Sequence, residues 1–176
     1  NVGLISKKVS EGKLLSSTQA NEVVSKAMPE ADFHNSKVLL IVPDSTRTAP
    51  VGTIFKAIHN QIGNNVSDLD VMIALGTHQA MSETAIEQRL EISHNERTTQ
   101  YSKVKFFNHA WDDPSELKNI GTISAKEISD LSGGLFEMDV PVEINANLFD
   151  YDRIVIIGPV FPHEVVGFSG GNKYLF

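Results

Sequence analysis

The sequence contains no cysteine, which excludes disulfide bonds, thiolate metal sites and a cysteine nucleophile. It contains no run of basic residues either, and 22 acidic against 15 basic side chains give a formal net charge of −7. A general nucleic-acid-binding protein, which depends on clustered lysine and arginine, is therefore not expected. No apolar stretch approaches the roughly 18 residues of a membrane span, and the N-terminus has no signal segment. We expect a cytoplasmic protein that binds neither nucleic acid nor membranes.

The 176 residues, 41% of them hydrophobic, are typical of one soluble globular domain with a sizeable core. Apolar runs at 38–42, 71–75, 104–107 and 153–158 predict buried strands. Helical periodicity predicts helices over 18–28, 51–62, 85–90 and 148–151. Residues 118–145 are expected to form extended segments and turns. Alternating strands and helices indicate an α/β fold, a mainly parallel sheet flanked by helices and Rossmann-like.

Polar motifs follow the apolar runs directly: PDSTR, GTH, NHAW and PHEVVGFSGGNK. The carboxyl ends of parallel strands meet at one edge of a sheet, and ligands bind there in open α/β folds. We therefore expect one group of polar residues to lie on one side of the molecule. The group comprises Asp44, Arg47, His78, His109, His163 and Lys173.

Each of these residues also has a structural interpretation. Asp44 and Arg47 could pair and cap the following helix. Any of His78, His109 and His163 could be a buried histidine that hydrogen-bonds to a neighbouring group. The sequence leaves these alternatives open.

The glycine-rich stretch before Lys173 indicates anion binding. It is not a Walker A loop, because Asn172 precedes the lysine and Tyr174 follows it, and no G-x-G-x-x-G occurs. Backbone N–H groups of a loop this rich in glycine can still converge on a phosphate or carboxylate. Lys173 would then be either a counter-charge or a covalent attachment point.

Taken together, PDSTRTAP, GTHQAM, NHAW and PHEVVGFSGGNK resemble the nickel-pincer lactate racemase family. The resemblance runs from about residue 20 to the end of the chain, and the ten-residue spacing of His163 and Lys173 fits the family. It implies a racemase or epimerase of a 2-hydroxy acid. The implied cofactor is a nickel pincer pyridinium-thioamide-thiocarboxylate mononucleotide, and the implied partners are the hydroxy acid and the cofactor-synthesis proteins.

The resemblance also implies residue roles. Lys173 would hold the cofactor through a thioamide bond, and His78 and His163 would be the catalytic acid and base on opposite faces of the substrate. Arg47 would bind substrate or cofactor anions. The remaining cofactor-binding positions are Asp44, which would help hold the nucleotide, and Ser169, Gly170 and Gly171, which would lie against the cofactor.

Two features depart from the family pattern. Gln79 follows His78 where the lactate enzymes are expected to carry arginine, and FPHEVVGF differs from the lactate forms. Both favour a larger or more polar 2-hydroxy acid. The family's nickel-binding histidine and second domain lie beyond the lysine. The resemblance thus implies that residues 1–176 are the N-terminal domain of a two-domain enzyme, incomplete at its C-terminal end and inactive alone.

Two other functions are compatible with the motifs. One is a non-catalytic α/β module that binds a nucleotide or an organic acid. The other is a metal-dependent hydrolase with histidine ligands, which is disfavoured because the histidines lack close ligand spacing and no H-E-x-x-H occurs.

Overall fold

Residues 3–165 and 167–175 are described by a computed structural model. The strands are β1 (Lys37–Pro43), β2 (Asp68–Ala74), β3 (Phe106–Asn108), β4 (Leu117–Ile123), β5 (Val140–Asn145), β6 (Arg153–Ile156), β7 (Phe161–His163) and β8 (Gly167–Ser169). The α-helices are α1 (Ser17–Ala27), α2 (Val51–Ile62), α3 (Glu83–Arg89), α4 (His94–Thr98) and α5 (Ala125–Ser132). Within the described part of the chain, no helix is long and apolar enough to cross a membrane.

Four strands form a parallel sheet in the order β3–β2–β1–β6. The chain runs outward from β1 through β2 to β3 and then returns to the other side of β1. The predicted α/β fold with a parallel sheet flanked by helices is therefore confirmed. The pair β4–β5, whose strands are connected through α5, and the hairpin β7–β8 form two separate antiparallel sheets.

Alternate side chains of β1 fill two apolar layers, as expected for a strand buried on both faces. Val38, Leu40 and Val42 pack with residues of α1, α2 and α3. Leu39 and Ile41 face the opposite layer. All five are fully buried, so β1 is the fixed centre from which the loops at its carboxyl end project.

The prediction of extended segments and turns over residues 118–145 is right for the strands β4 and β5 and wrong for the helix α5 between them. This helix begins with a capping box between Ser124 and Glu127, and ends at Gly133, whose φ of +64° is the left-handed conformation of a helix C-cap. The predicted helix over 148–151 is a 3₁₀ turn, Ala146–Asp150.

Candidate functional site

A cleft of about 330 Å³ opens at the carboxyl ends of β1 and β2. The strand order reverses at β1, and ligands of open α/β sheets bind at such a point. The cleft brings together the loop after β1, the loop after β2 and the segment after β8. Six of the eight predicted site residues line it: Asp44, Arg47, His78, Ser169, Gly170 and Lys173.

A cavity of about 500 Å³ lies at the opposite edge of the sheet, where β1 and β2 begin. Its buried carboxylate, Asp70, accepts hydrogen bonds from the backbone N–H of Lys105 and the hydroxyl of Tyr151, both under 3 Å. Burial and the hydrogen bond to Asp70 raise the pKa of Tyr151. These contacts tie β2 to the segments before β3 and β6, so Asp70 has a structural role.

Asp44 joins the first two loops of the cleft. Its Oδ2 lies 2.6 Å from Nδ1 of His78, and its Oδ1 accepts hydrogen bonds from the backbone N–H and hydroxyl of Thr46 at 3.0 and 2.5 Å. Burial raises the pKa of this carboxyl, but the hydrogen bonds from Thr46 and His78 outweigh burial and hold the pKa below its ordinary value. The ionised carboxylate therefore accepts Nδ1–H of His78, which leaves the lone pair of a neutral ring on Nε2.

The alternative of an Asp44–Arg47 pair that caps the next helix is wrong. Asp44 hydrogen-bonds to His78 and Thr46, and α2 begins after Pro50 without a side-chain cap. Both carboxylate oxygens of Asp44 are already engaged within the chain. Its role in holding a nucleotide, which the resemblance implied, stays a prediction.

Lys173 lies in a short 3₁₀ turn, Gly171–Leu175, with its side chain exposed at the cleft. The turn is entered through Gly170 and Gly171, whose φ angles of +80° and +62° favour glycine. A Cβ at Gly170 would lie 2.0 Å from the carbonyl oxygen of Pro159. The glycine loop therefore lies closer to the segment after β6 than a residue with a side chain would allow. This close contact determines the position of the turn that carries Lys173.

The Gly170→Ala variant is expected to lose roughly 1–3 kcal/mol of unfolding free energy, because alanine adds backbone strain at this φ and a contact that the backbone of Pro159 must relieve. Denaturant unfolding measures the change. Gly121→Ala is the matched control, since its Cβ would meet nothing within 4 Å and its φ is not left-handed. Equal stability of Gly170→Ala and wild type would contradict the close approach.

Arg47 and Ser169 line the cleft from different sides. Arg47 is exposed on the loop after β1, so its guanidinium is accessible to an anion. Ser169, at the end of β8, is 7% exposed and donates its hydroxyl to the carbonyl of Phe161 across the β7–β8 hairpin at 3.4 Å. The serine hydroxyl thus stabilises the hairpin next to the cleft.

His163 and Gly171 do not line the cleft. His163 pairs with Gly167 across the β7–β8 hairpin, and its Nδ1 accepts the backbone N–H of Val165 at 3.1 Å. Glu164 Oε2 lies 3.9 Å from the same nitrogen. His163 follows β6 along the chain, and its catalytic role stays a prediction.

His109 has a structural role. It is 3% exposed, and its Nδ1 accepts a hydrogen bond from the side-chain amide of Asn145 at 2.8 Å. Burial lowers the pKa of His109 and favours the neutral ring. The next aromatic residue, Trp111, donates its indole N–H to the carbonyl of His78 at 3.1 Å. Through these two hydrogen bonds, the NHAW motif stabilises the packing of the strand pair β4–β5 and the loop that carries His78.

Sequence reasoning missed three residues around the cleft: Thr46, Arg89 and Tyr174. Thr46 had a local signal, since an aspartate followed two residues later by a free backbone N–H forms an Asx turn. Arg89 and Tyr174 had no such signal. Tyr174 reaches the cleft through the packing of the final turn, and Arg89, at the end of α3, donates to the carbonyl of Pro43, which lines the cleft.

Comparison with known proteins places the chain in a family. A family model, the lactate racemase N-terminal domain, matches residues 4–176. A crystal structure of a Thermotoga maritima protein, a Northeast Structural Genomics Consortium target, is similar with a TM-score of 0.79 and 32% sequence identity. The match covers 95% of this chain and 39% of that one. No curated protein matches the chain. The chain belongs to the lactate racemase N-terminal domain family.

Proposed function

We propose that this chain is the cofactor-binding part of a racemase or epimerase that acts on a 2-hydroxy acid. The observation that carries the proposal is the convergence of Lys173, His78 and Asp44 on one cleft, in a chain of the lactate racemase family. Capture of an anion requires a positive charge but no oriented imidazole. An imidazole whose tautomer is fixed by a buried carboxylate suits proton transfer.

The residues of the cleft fit a nickel pincer mononucleotide. Lys173 would hold it through the exposed amine, Arg47 would neutralise an anionic group, and the hydroxyl of Tyr174, which is buried without a partner among the described residues, has hydrogen-bonding capacity to spare. When bound, the cofactor supplies hydride acceptance and return at C2 of the substrate. The residues that would lie against it are Ser169, Gly170 and Gly171.

The nickel ligand stays a prediction of the family resemblance. Within residues 3–165 and 167–175, no three histidine or carboxylate side chains are grouped so that they could hold a metal ion.

His78 would take the hydroxyl proton of the substrate at Nε2, because Asp44 accepts from its Nδ1–H. The same carboxylate would stabilise the imidazolium that forms. The pKa of Asp44 is lower in the fold than in an unfolded chain. Its contribution to the pair is therefore present at neutral pH and is lost as the pH falls through that lowered pKa.

His163 would serve the opposite face of the substrate. Its Nδ1 accepts a backbone N–H, so a neutral ring carries its proton on Nε2, the reverse of His78. Racemisation needs a proton-transfer group for each enantiomer, and a pair of histidines supplies both near neutral pH.

Arg47 would bind the carboxylate of the substrate. A bidentate guanidinium–carboxylate contact would fix C2 relative to the two imidazoles. Gln79, next to His78, replaces the arginine expected for lactate. An uncharged amide at this place would accept a substrate with a larger or more polar group than the methyl of lactate.

The test is intact-protein mass spectrometry of the full-length protein, produced in cells that make the cofactor, with nickel quantified on the same sample. We expect an added mass that maps to the Lys173 peptide and about one nickel per chain. An unmodified mass without nickel, from cells shown to load another enzyme of this family, would contradict the proposal and favour the non-catalytic binding module.

A further inference from the structure

The ring of Tyr174 is held in a notch formed by a glycine. It packs against the apolar layer that includes Leu39, Ile41 and Met72. A Cβ at Gly158 would lie 2.7 Å from Cε2 of the ring and 3.0 Å from its hydroxyl oxygen. The ring therefore occupies space that only a glycine at 158 leaves open, and its position next to Lys173 is determined by packing.

The hydroxyl of Tyr174 is buried, and no residue within 3–165 and 167–175 hydrogen-bonds to it. Buried tyrosine hydroxyls normally have a partner. Burial raises the pKa of Tyr174 even though the positive charges of Arg47 and Arg89 oppose the shift. The phenol is therefore neutral at physiological pH and has a proton to donate. Because Tyr174 lines the cleft together with Arg47 and Lys173, the missing acceptor would come from a bound molecule.

Arg89 provides a second unused donor beneath the cleft. Its Nε donates to the carbonyl of Pro43 at 2.9 Å, whereas its Nη2 is buried without a partner among the described residues. Pro43 lines the cleft and directly precedes Asp44, so this hydrogen bond holds Arg89 next to the cleft. Two buried donors and the positive charge of Arg47 select an anionic oxygen and reject a cation.

We propose that the Tyr174 hydroxyl donates a hydrogen bond to an anionic oxygen, of a carboxylate or a phosphate, in the molecule that binds beside Lys173, with Arg89 as the second donor. This makes Tyr174 a positioning residue of the cleft. The proposal depends on the proposed function only for the identity of the molecule that carries this oxygen. The two sources are the carboxylate of a 2-hydroxy acid and the phosphate of a mononucleotide.

The experiment titrates the protein, prepared without cofactor, separately with inorganic phosphate and with lactate, and measures each Kd by calorimetry. Wild type is compared with Tyr174→Phe, which keeps the ring in its notch and removes only the hydroxyl. The matched control is Tyr101→Phe, which removes a hydroxyl from a buried ring in the cluster of Phe55 and His59, outside the cleft.

We expect Tyr174→Phe to raise one of the two Kd values by about tenfold or more, as the loss of a hydrogen bond to a charged group does, and Tyr101→Phe to leave both unchanged. If Tyr174→Phe raises only the Kd for phosphate, the oxygen belongs to the nucleotide. If it raises only the Kd for lactate, the oxygen belongs to the substrate. Wild type that binds neither probe, or a Tyr174→Phe variant that binds both normally, overturns the proposal.

The outcome is independent of the proposed function, because the titrations need neither nickel nor turnover. Absence of an adduct on Lys173 would contradict the cofactor assignment without affecting either Kd. The melting temperature of each variant, measured without ligand, shows that it is folded. Tyr174→Phe is expected to be at least as stable as wild type, since it removes a buried polar atom that has no partner.

Discussion

The Lys173→Ala variant of the full-length protein is expected to carry no covalent adduct and to retain no nickel after purification from cells that load the wild type. The amine of Lys173 is exposed at the cleft, and the methyl group of alanine provides no atom that could form the thioamide. The fold is expected to persist, because substitution of an exposed side chain without special contacts usually changes stability by less than about 0.5 kcal/mol. Intact mass and nickel content measure the loss, and the melting temperature monitors the fold.

Lys173→Arg separates a tether from a counter-charge. Arginine keeps the positive charge beside Arg47, but its guanidinium does not form the thioamide. We expect this variant to lose the adduct as completely as Lys173→Ala. Retention of stoichiometric cofactor by Lys173→Arg would show that the lysine acts through its charge alone. Lys126→Ala is the matched control, because Lys126 is exposed on α5 and pairs with Asp130 in the next turn.

The sheet and the placement of the cleft could be predicted because both depend on local sequence. A strand made of an unbroken run of β-branched and leucine residues, such as 38–42, has apolar side chains on both of its faces, so both faces are expected to be buried. A polar loop that follows such a run emerges at the carboxyl edge, whatever the remaining topology. This was sufficient to bring Asp44, His78 and Lys173 to one edge without knowledge of strand order.

The contacts within the cleft could not be predicted, because they depend on which strands are neighbours. The Asp44–His78 hydrogen bond joins residues 34 positions apart and forms because β1 and β2 pair in register, Pro43 opposite Ala74. The short hairpin β7–β8, which carries His163, has too few residues to produce a strand pattern. In α5, the capping residues were visible in the sequence, but the helix has no buried residue whose periodicity would have predicted it.

In the full-length protein, the Asp44→Asn variant is expected to lower kcat by roughly 10³–10⁴-fold, as in other enzymes where this change gives histidine the wrong tautomer. Thr46 donates two hydrogen bonds to Oδ1 of Asp44, so the amide oxygen of asparagine would take that position. The amide nitrogen would then face Nδ1 of His78 and donate to it. The imidazole would carry its proton on Nε2, the atom that must accept the proton of the substrate.

His78→Ala is the companion variant, and we expect it to remove turnover to a similar extent while the Lys173 adduct and nickel content stay normal. Equal losses in the two variants indicate that Asp44 acts through His78. A structural role of Asp44 alone would lower the melting temperature and cofactor content together. The nitrogen chemical shifts of His78 give a direct measurement, since they distinguish Nδ1–H from Nε2–H in the absence of substrate.

If the Asp44→Asn variant kept Nδ1–H on His78 and turned over normally, the pair would be a structural contact and the base would have to be sought elsewhere. If the tautomer reversed without loss of turnover, His78 would not be the base. The expected result, reversal together with loss of turnover, would mean that one buried carboxylate determines which nitrogen is free. The burial of Asp44 beneath the loop after β2 would then be a requirement of the chemistry as well as of the fold.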